Sequence, residues 1–223
     1  KGKRLNEDAP IRVRPCSHVL KHTVHLDKVK AERFLLPISK KKTHVIEIHA
    51  GQITTTDLTI SLPPTLNFEP FGGYSKIAAV ERHHNTGKIG VAVAKGYGIR
   101  NGAVASSVSH DSHNIIVIGD NDADMAIAVN EIIRTQGGYT VVENGKVYET
   151  LALPIMGLMS DAGFENVNEA LQRMIQKAHQ MGVASQIDPF VTLSFLALPV
   201  IPELRITPRG ICKMTAKGPA ILS

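Results

Sequence analysis

The sequence predicts an α/β or α+β domain in which a mixed β-sheet is covered by amphipathic helices. Three observations lead to this prediction. Strand-like segments outnumber helical ones, an Asn144-Gly145 pair separates two β-branched runs as in a β-hairpin, and two segments show the 3.6-residue apolar period of a helix. We expect this domain to span residues 41–223 and to follow a short lead, residues 1–40, which prolines divide into short pieces.

Most predicted strands are β-branched runs bounded by turn residues. The pattern predicts strands at 44–49, 58–62, 75–80 and 89–94, and the four apolar residues at 115–118 are typical of a buried strand. Residues 139–142 and 147–153 flank the Asn-Gly turn and complete the expected hairpin. Residues 190–198 form a last, strongly apolar element, whereas the tail from residue 206 shows little periodicity.

Two helices are expected. The first begins near 120–122, where Asp or Asn can cap it, because the apolar residues that follow share one face: Met125, Ala128, Val129, Ile132 and Ile133. The acidic spacing there imitates a calcium loop, but Met125 stands where such a loop needs glycine. The second helix occupies the region of 166–181, with Asn166 and Glu169 resembling a capping box.

Charge and composition exclude several classes of function. Residues 1–42 hold twelve lysines and arginines against four aspartates and glutamates, whereas the rest of the chain holds thirteen against sixteen. The basic excess therefore belongs to the lead, and because no series of aromatic residues interleaves it, we expect no nucleic-acid partner. No apolar run approaches the ~20 residues of a membrane span. Two isolated cysteines, Cys16 and Cys212, favour reduced thiols in the cytoplasm.

A polar hexad between buried segments is the candidate site. It runs from Ser109 to Asn114. His110, Asp111 and His113 supply the imidazole and carboxylate groups that proton-transfer catalysis uses, so we predict them to be catalytic. Ser109, Ser112 and Asn114 can hydrogen-bond the edge of a heteroaromatic ligand, and the small residues Ala103, Ala105, Ser106 and Ser107 would let it approach the backbone. The alternative is a polar turn whose side chains cap backbone groups.

The hexad does not amount to a complete catalytic apparatus. The chain contains no His-x-His pair, no zinc-deaminase Cys-x-x-Cys, no phosphate-binding glycine loop and no Gly-x-Ser-x-Gly elbow. His18, His22 and His25 have the spacing of metal ligands on one helical face, but without acidic or cysteine partners they also suit a plain connector. We therefore predict no metal site within this chain.

Several long motifs stand out along the chain. They are SKIAAVERH at 75–83, KGYG at 95–98, GAVASS at 102–107, HDSHN at 110–114, NDADMA at 121–126, LPIMGLMS at 153–160 and DPFVTLSFLALPVIPE at 188–203. Together they resemble the C-terminal domain of bacterial and archaeal adenine deaminases, and the resemblance covers roughly residues 41–211.

The resemblance implies a division of labour between two parts of one enzyme. An upstream (β/α)8 barrel, absent from this chain, would hold a binuclear Mn²⁺ or Fe²⁺ centre and hydrolyse adenine to hypoxanthine and ammonia, and residues 1–40 would be the tail after it. This domain would cover the barrel mouth and offer His110–Asn114 to adenine or a related purine. Within the SKIAAVERH motif, Glu81 and Arg82 are expected to bind substrate. We expect the chain alone to be inactive, and the enzyme to be a cytoplasmic homo-oligomer.

Two other functions remain open on the sequence alone. The chain can be a non-catalytic module that binds a purine-like ligand without chemistry. It can also be a self-contained hydrolase that holds one metal ion between His110, Asp111 and His113.

Overall fold

The computed structural model describes residues 16–39 and 42–222. Two short 3₁₀ helices in the lead, His18–Lys21 and Ala31–Phe34, precede the body. The three α-helices are α1 (Asp122–Thr135), α2 (Phe164–Gln180) and α3 (Pro189–Phe195). The eleven strands of the described residues are β1 (Thr43–Ile48), β2 (Thr55–Ile60), β3 (Tyr74–Val80), β4 (Ile89–Lys95), β5 (Gly102–Ser106), β6 (Ile115–Gly119), β7 (Gly138–Glu143), β8 (Lys146–Ala152), β9 (Leu204–Thr207), β10 (Gly210–Thr215) and β11 (Gly218–Ile221).

Eight of these strands form the mixed sheet that the sequence predicts. Their order is β2-β1-β4-β3-β6-β5-β7-β8. Only the β1–β4 pair is parallel, and every other neighbouring pair is antiparallel. The hairpin at Asn144 and Gly145 is confirmed, since both residues adopt the positive φ angles that a tight two-residue turn between β7 and β8 requires.

One face of the sheet is covered by α1 together with the lead. The predicted start of α1 is confirmed, because the Asn121 side chain caps the helix by accepting a hydrogen bond from the Asp124 backbone nitrogen (2.8 Å). Val24, Val29 and Phe34 of the lead are buried in the same apolar cluster as the inner face of α1. The lead therefore contributes core residues, whereas the domain boundary at residue 41 stays a prediction.

The other face of the sheet is covered by α2, α3 and a second, three-stranded sheet of order β11-β10-β9. The apolar face predicted for α2 is confirmed, since Met174 and Ala178 are fully buried there. Among the described residues, no helix is long and apolar enough to cross a membrane.

Three local expectations are corrected. Residues 102–106 form the central strand β5, and Ala103, Ala105, Ser106 and Ser107 are completely buried, so this backbone is closed to a ligand. No capping box starts α2. The helix begins at Phe164, and Asn166 bonds the Ala162 carbonyl instead. The apolar element at 190–198 is not the last one, because the tail, despite its weak periodicity, forms β9–β11. The sequence pattern leaves the type of that apolar element open, and it begins as helix α3, whose first turn is capped by Asp188.

The antiparallel order places two groups of connections at opposite ends of the central strands. One end, here called the site end, carries the connections 81–88, 107–114 and 153–160. The opposite end, here called the cap end, carries 96–101, the start of α1 and the 144–145 turn. The register pairs Val80 with Ile115 at the site end and Lys76 with Gly119 at the cap end.

Candidate functional site

The predicted hexad, Ser109–Asn114, connects β5 to β6 in the middle of the site end. Its two supporting strands are fully buried, so its ends are held by the core. His113 adopts a left-handed backbone conformation (φ 51°), which is uncommon for a residue other than glycine. Such conformations persist only where the surroundings enforce them, and they are frequent at ligand sites.

The Arg82 guanidinium is the main group that holds the hexad in place. It is 2 % exposed and donates hydrogen bonds to the His113 carbonyl, to the Thr23 carbonyl (3.0 Å) and to the Met156 carbonyl (3.0 Å). These acceptors belong to the hexad, the lead and the 153–160 loop. No carboxylate pairs with this guanidinium among the described residues. Burial lowers the pKa of Arg82 to about 10, so the group is still a cation at neutral pH.

Further contacts fix both ends of the hexad. The Asn114 side-chain oxygen accepts a hydrogen bond from the Arg82 backbone nitrogen (3.3 Å), and the His83 ring nitrogen lies 2.7 Å from the Ser112 carbonyl. At the other end, the His110 backbone nitrogen donates to the Ser194 carbonyl (3.1 Å) in α3. The His110 ring packs on Phe195 with the ring centroids 4.9 Å apart. The loop is therefore braced from two neighbouring elements.

Two buried polar atoms of the hexad have no hydrogen-bond partner among the described residues. They are the Ser109 hydroxyl oxygen and the His113 Nδ1 atom. Only two other buried side-chain atoms of the described residues share this state, Ser75 Oγ and Arg205 Nε. Because a buried polar group without a partner costs about 1–3 kcal/mol, we expect a water molecule or a ligand group to complete the hydrogen bonding of these two atoms.

The electrostatic surroundings keep the His113 imidazole neutral. Burial is the main cause of its lowered pKa, and the nearby His110 and the Arg82 cation lower the pKa further, whereas Asp111 raises it. The rings of His110 and His113 are 6.0 Å apart between centroids. A neutral imidazole has one nitrogen that donates and one that accepts, so His113 can exchange a proton with a ligand near neutral pH.

The other predicted site residues make mostly internal bonds. Glu81 accepts hydrogen bonds from the backbone nitrogens of His83 (2.6 Å), His84 (3.0 Å) and Thr86 (3.1 Å), and these bonds shape the 81–88 turn. The Asn114 amide donates to Ser112 Oγ (3.1 Å). The Asp111 side chain is exposed. Substrate binding stays a prediction for Glu81, Arg82, Ser112 and Asn114. In this structure, the hydrogen bonds of all four residues hold the loops of the site in place.

The geometry gives no support to a metal ion within the chain. Among residues 16–39 and 42–222, no three His, Cys, Asp or Glu side chains are placed to hold one. His18 and His22 do approach each other, with their Nε2 atoms 2.9 Å apart, but the 3₁₀ helix ends at Lys21 and does not extend to His25. A hydrolase built around one metal ion at His110, Asp111 and His113 therefore finds no ligand set here.

Sequence reasoning missed several residues that build the site. The carbonyls of Thr23 and Met156 accept hydrogen bonds from Arg82, and the Phe195 ring packs on His110. None of these three partners belongs to a recognisable polar pattern. Met156 and Phe195 do lie inside the LPIMGLMS and DPFVTLSF motifs that carried the resemblance. These motifs were the signal that the sequence offered, because a long family motif without catalytic residue types indicates residues that the structure needs.

The comparisons with known proteins show the family of this chain. A family model described as "Adenine deaminase C-terminal domain" matches residues 52–217. The chain belongs to this family. The matched region includes Arg82, the whole hexad and the 153–160 loop.

Curated relatives extend the match into the lead. The chain is 47 % identical over 212 residues to an adenine deaminase of Desulfitobacterium hafniense, covering 95 % of this chain and 37 % of that protein. It is 43 % identical over 198 residues to one of Clostridium acetobutylicum, covering 85 % and 34 %, and 42 % identical over 195 residues to one of Bacillus subtilis, covering 83 % and 34 %. This adenine deaminase C-terminal domain thus spans about a third of the length of these relatives.

Proposed function

We propose that this chain is the C-terminal part of an adenine deaminase and that its hexad faces the substrate. The relatives that it matches are named adenine deaminases, and about two thirds of their length lies outside the match. The single observation that carries the role of the hexad is the pair of unsatisfied buried atoms, Ser109 Oγ and His113 Nδ1. A purine edge presents both donors and acceptors, and it would pair with these two atoms once the hexad opens, since neither atom is accessible to solvent in this structure.

The chemistry of the reaction suits a neutral imidazole. Deamination replaces the exocyclic amino group of adenine by an oxygen atom from water, so a C–N bond breaks and a C–O bond forms. One proton of water leaves with the ammonia, and the other stays on a ring nitrogen of the product. A positioned histidine can hold or transfer one of these protons if it is uncharged at the working pH. The lowered pKa of His113 meets this condition. Ser109 would orient the ring, and the exposed Asp111 is available to the same ligand.

In this proposal the metal centre belongs to the upstream part of the enzyme. The described residues contain no ligand set for it, so the Mn²⁺ or Fe²⁺ centre that the resemblance implies would supply the activated water from there. This domain would cover that centre, exclude bulk water and complete the substrate pocket. A cytoplasmic location and a homo-oligomeric state belong to the same proposal.

Two buried serines provide a matched test. Ser107 and Ser109 are both fully buried and two residues apart, but the Ser107 hydroxyl donates to the Gly157 carbonyl (2.6 Å) and accepts from the Gly138 nitrogen (2.8 Å). In the full-length enzyme, we expect Ser109→Ala to lower kcat/KM for adenine about tenfold without loss of stability. Ser107→Ala should instead lower the unfolding free energy by about 1–3 kcal/mol and leave kcat/KM nearly unchanged.

Removing the imidazole should have a larger effect. His113→Asn, which tolerates the left-handed backbone, is expected to lower kcat about 100-fold. His49→Ala at the cap end, where the ring bonds Thr56, is the control and should leave the rate unchanged. The proposal is contradicted if Ser109→Ala and His113→Asn both retain the activity of the unmodified enzyme. Robust ammonia release from adenine by the 223-residue chain alone, with Mn²⁺ supplied, would contradict the assignment of the metal centre to the upstream part.

A further inference from the structure

We infer that an exposed apolar surface beside the hexad is the docking face for the upstream part of the polypeptide. This surface, here called the apolar rim, consists of Val19, Leu20, Met156, Met159 and Phe164. The inference rests on the proposed function in one respect, namely that a full-length enzyme with an upstream domain exists. Its new content is the identity of the face of this domain that the upstream part covers.

The rim is unusually apolar for a free surface. Phe164 is 77 % exposed and Val19 is 76 % exposed, and the other three members are also exposed. They form one surface, because Met156 donates its backbone N–H to the Leu20 carbonyl (2.6 Å) and the 155–159 turn brings Met159 to the same loop. Lys21 and Asp161 form an ion pair that ties the lead to the residues just before Phe164. Contiguous exposed apolar groups of this kind mark interaction sites.

The rim and the hexad are parts of one rigid unit. The Arg82 guanidinium, which donates to the His113 carbonyl, also donates to the carbonyls of Thr23 and Met156. Thr23 closely follows the rim residues Val19 and Leu20, and Met156 is itself a rim residue. Gly157 lies against this guanidinium so closely that a Cβ atom there would be 2.8 Å from it. A partner that covers the rim would therefore meet the hexad in a fixed position, without an ordering step on this side of the interface.

The position of the lead identifies the occupant. The match covers 37 % of the Desulfitobacterium hafniense relative, and the family model describes a C-terminal domain, so the remaining sequence of such a relative lies largely upstream. The connection to that sequence passes through Cys16–Thr23, the segment that contains Val19 and Leu20. The upstream part is thus joined to this domain through the segment that holds two rim residues, which raises its effective concentration at the surface of this domain.

Hydroxyl-radical labelling of the unmodified full-length enzyme tests the inference. Phe164 and Phe71 offer a matched pair, since both are exposed in this chain (77 % and 56 %) and Phe71 lies at the cap end. If the upstream part covers the rim, oxidation of Phe164 should be about tenfold slower than that of Phe71, because the centre of an interface excludes solvent. Equal or faster oxidation of Phe164 overturns the inference.

Two further measurements separate the alternatives. Protection of Phe164 that disappears on dilution would show that a second copy of the enzyme covers the rim, which also overturns the inference. Phe164→Arg should lower adenine hydrolysis strongly, whereas Leu66→Arg, at a 91 % exposed position remote from the rim, should not. An enzyme that deaminates adenine with Phe164 freely oxidised would refute the docking face alone. An inactive enzyme with Phe164 protected would refute the proposed function alone.

Discussion

The two ends of the central strands carry similar polar residues but use them differently. At the cap end, Asp120 accepts hydrogen bonds from the backbone nitrogens of Asn101 and Gly102, and Asp124 accepts one from Gly145 (2.8 Å). Asn121 caps α1. These carboxylates and amides satisfy backbone N–H groups that the ends of strands and helices leave open. These side chains therefore complete the backbone hydrogen bonding of the cap end, although the buried Ser75 Oγ there has no partner among the described residues.

At the site end, only the supporting framework has its hydrogen bonds satisfied. Its polar framework binds backbone carbonyls through Arg82, whereas Ser109 Oγ and His113 Nδ1 stay without partners. Residue type does not distinguish the two ends. One run of polar residues with Asp and Asn lies just before β6 at the site end, and another lies just after β6 at the cap end. The difference lies in where the unpaired atoms stand, because Ser109 Oγ and His113 Nδ1 share one connecting loop, whereas Ser75 Oγ at the cap end lies inside β3. Two unpaired groups in one loop on a satisfied frame are what a binding site presents.

The largest effect is expected from removing the frame. Arg82→Met should lower the unfolding free energy of the chain by about 3–5 kcal/mol, because it leaves the His113, Thr23 and Met156 carbonyls buried without donors. Denaturation in urea measures this loss. Arg173→Met is the control, since Arg173 pairs with Glu149 at an exposed position and its loss should not move the midpoint. Similar midpoints for the two variants would show that Arg82 does not organise the site end.

A smaller effect should follow at the cap end. Asn121→Ala removes the cap of α1 and should lower the unfolding free energy by about 1 kcal/mol. Because none of the predicted site residues lies at the cap end, kcat and KM of the folded full-length enzyme should stay unchanged. Asn121→Ser, which keeps an acceptor for the Asp124 nitrogen and adds no charge beside Asp120 and Asp124, should restore most of the stability. A specific fall in kcat for Asn121→Ala would break the distinction between the two ends.

The smallest effect concerns pH and belongs to the site end alone. The pKa of His113 is lowered by burial, by His110 and by Arg82, so the folded chain takes up this proton less readily than the unfolded chain. Stability should therefore fall as pH drops below the ordinary histidine value of about 6.5. Measured against His113→Asn, the unmodified chain should lose stability between neutral and mildly acid pH. A difference that is independent of pH, or that grows in favour of the unmodified chain, would contradict this assignment.

Much of the fold follows from local pattern. The β-branched runs, the Asn-Gly turn and the apolar period of α1 and α2 are short-range signals, and the strands and helices that they predict are present. The tail was missed because β9–β11 are short, and their sheet is stabilised by packing on the body through buried Leu204 and Ile206. Strand β5 was missed because its small residues have weak strand preference and are buried between β6 and β7.

The sequence by itself determined most of the element types, the mixed sheet, the position of the hexad and, through its long motifs, the family. Only the tertiary structure decided which polar groups have hydrogen-bond partners. Arg82 and Met156 are 74 residues apart, and Arg82 and Thr23 are 59 apart, so no local spacing announces that these carbonyls share one guanidinium. Hydrogen bonding depends on distances of about 3 Å between atoms brought together by the whole fold. Ser107 and Ser109 are therefore indistinguishable in the sequence, although the structure satisfies one and leaves the other open.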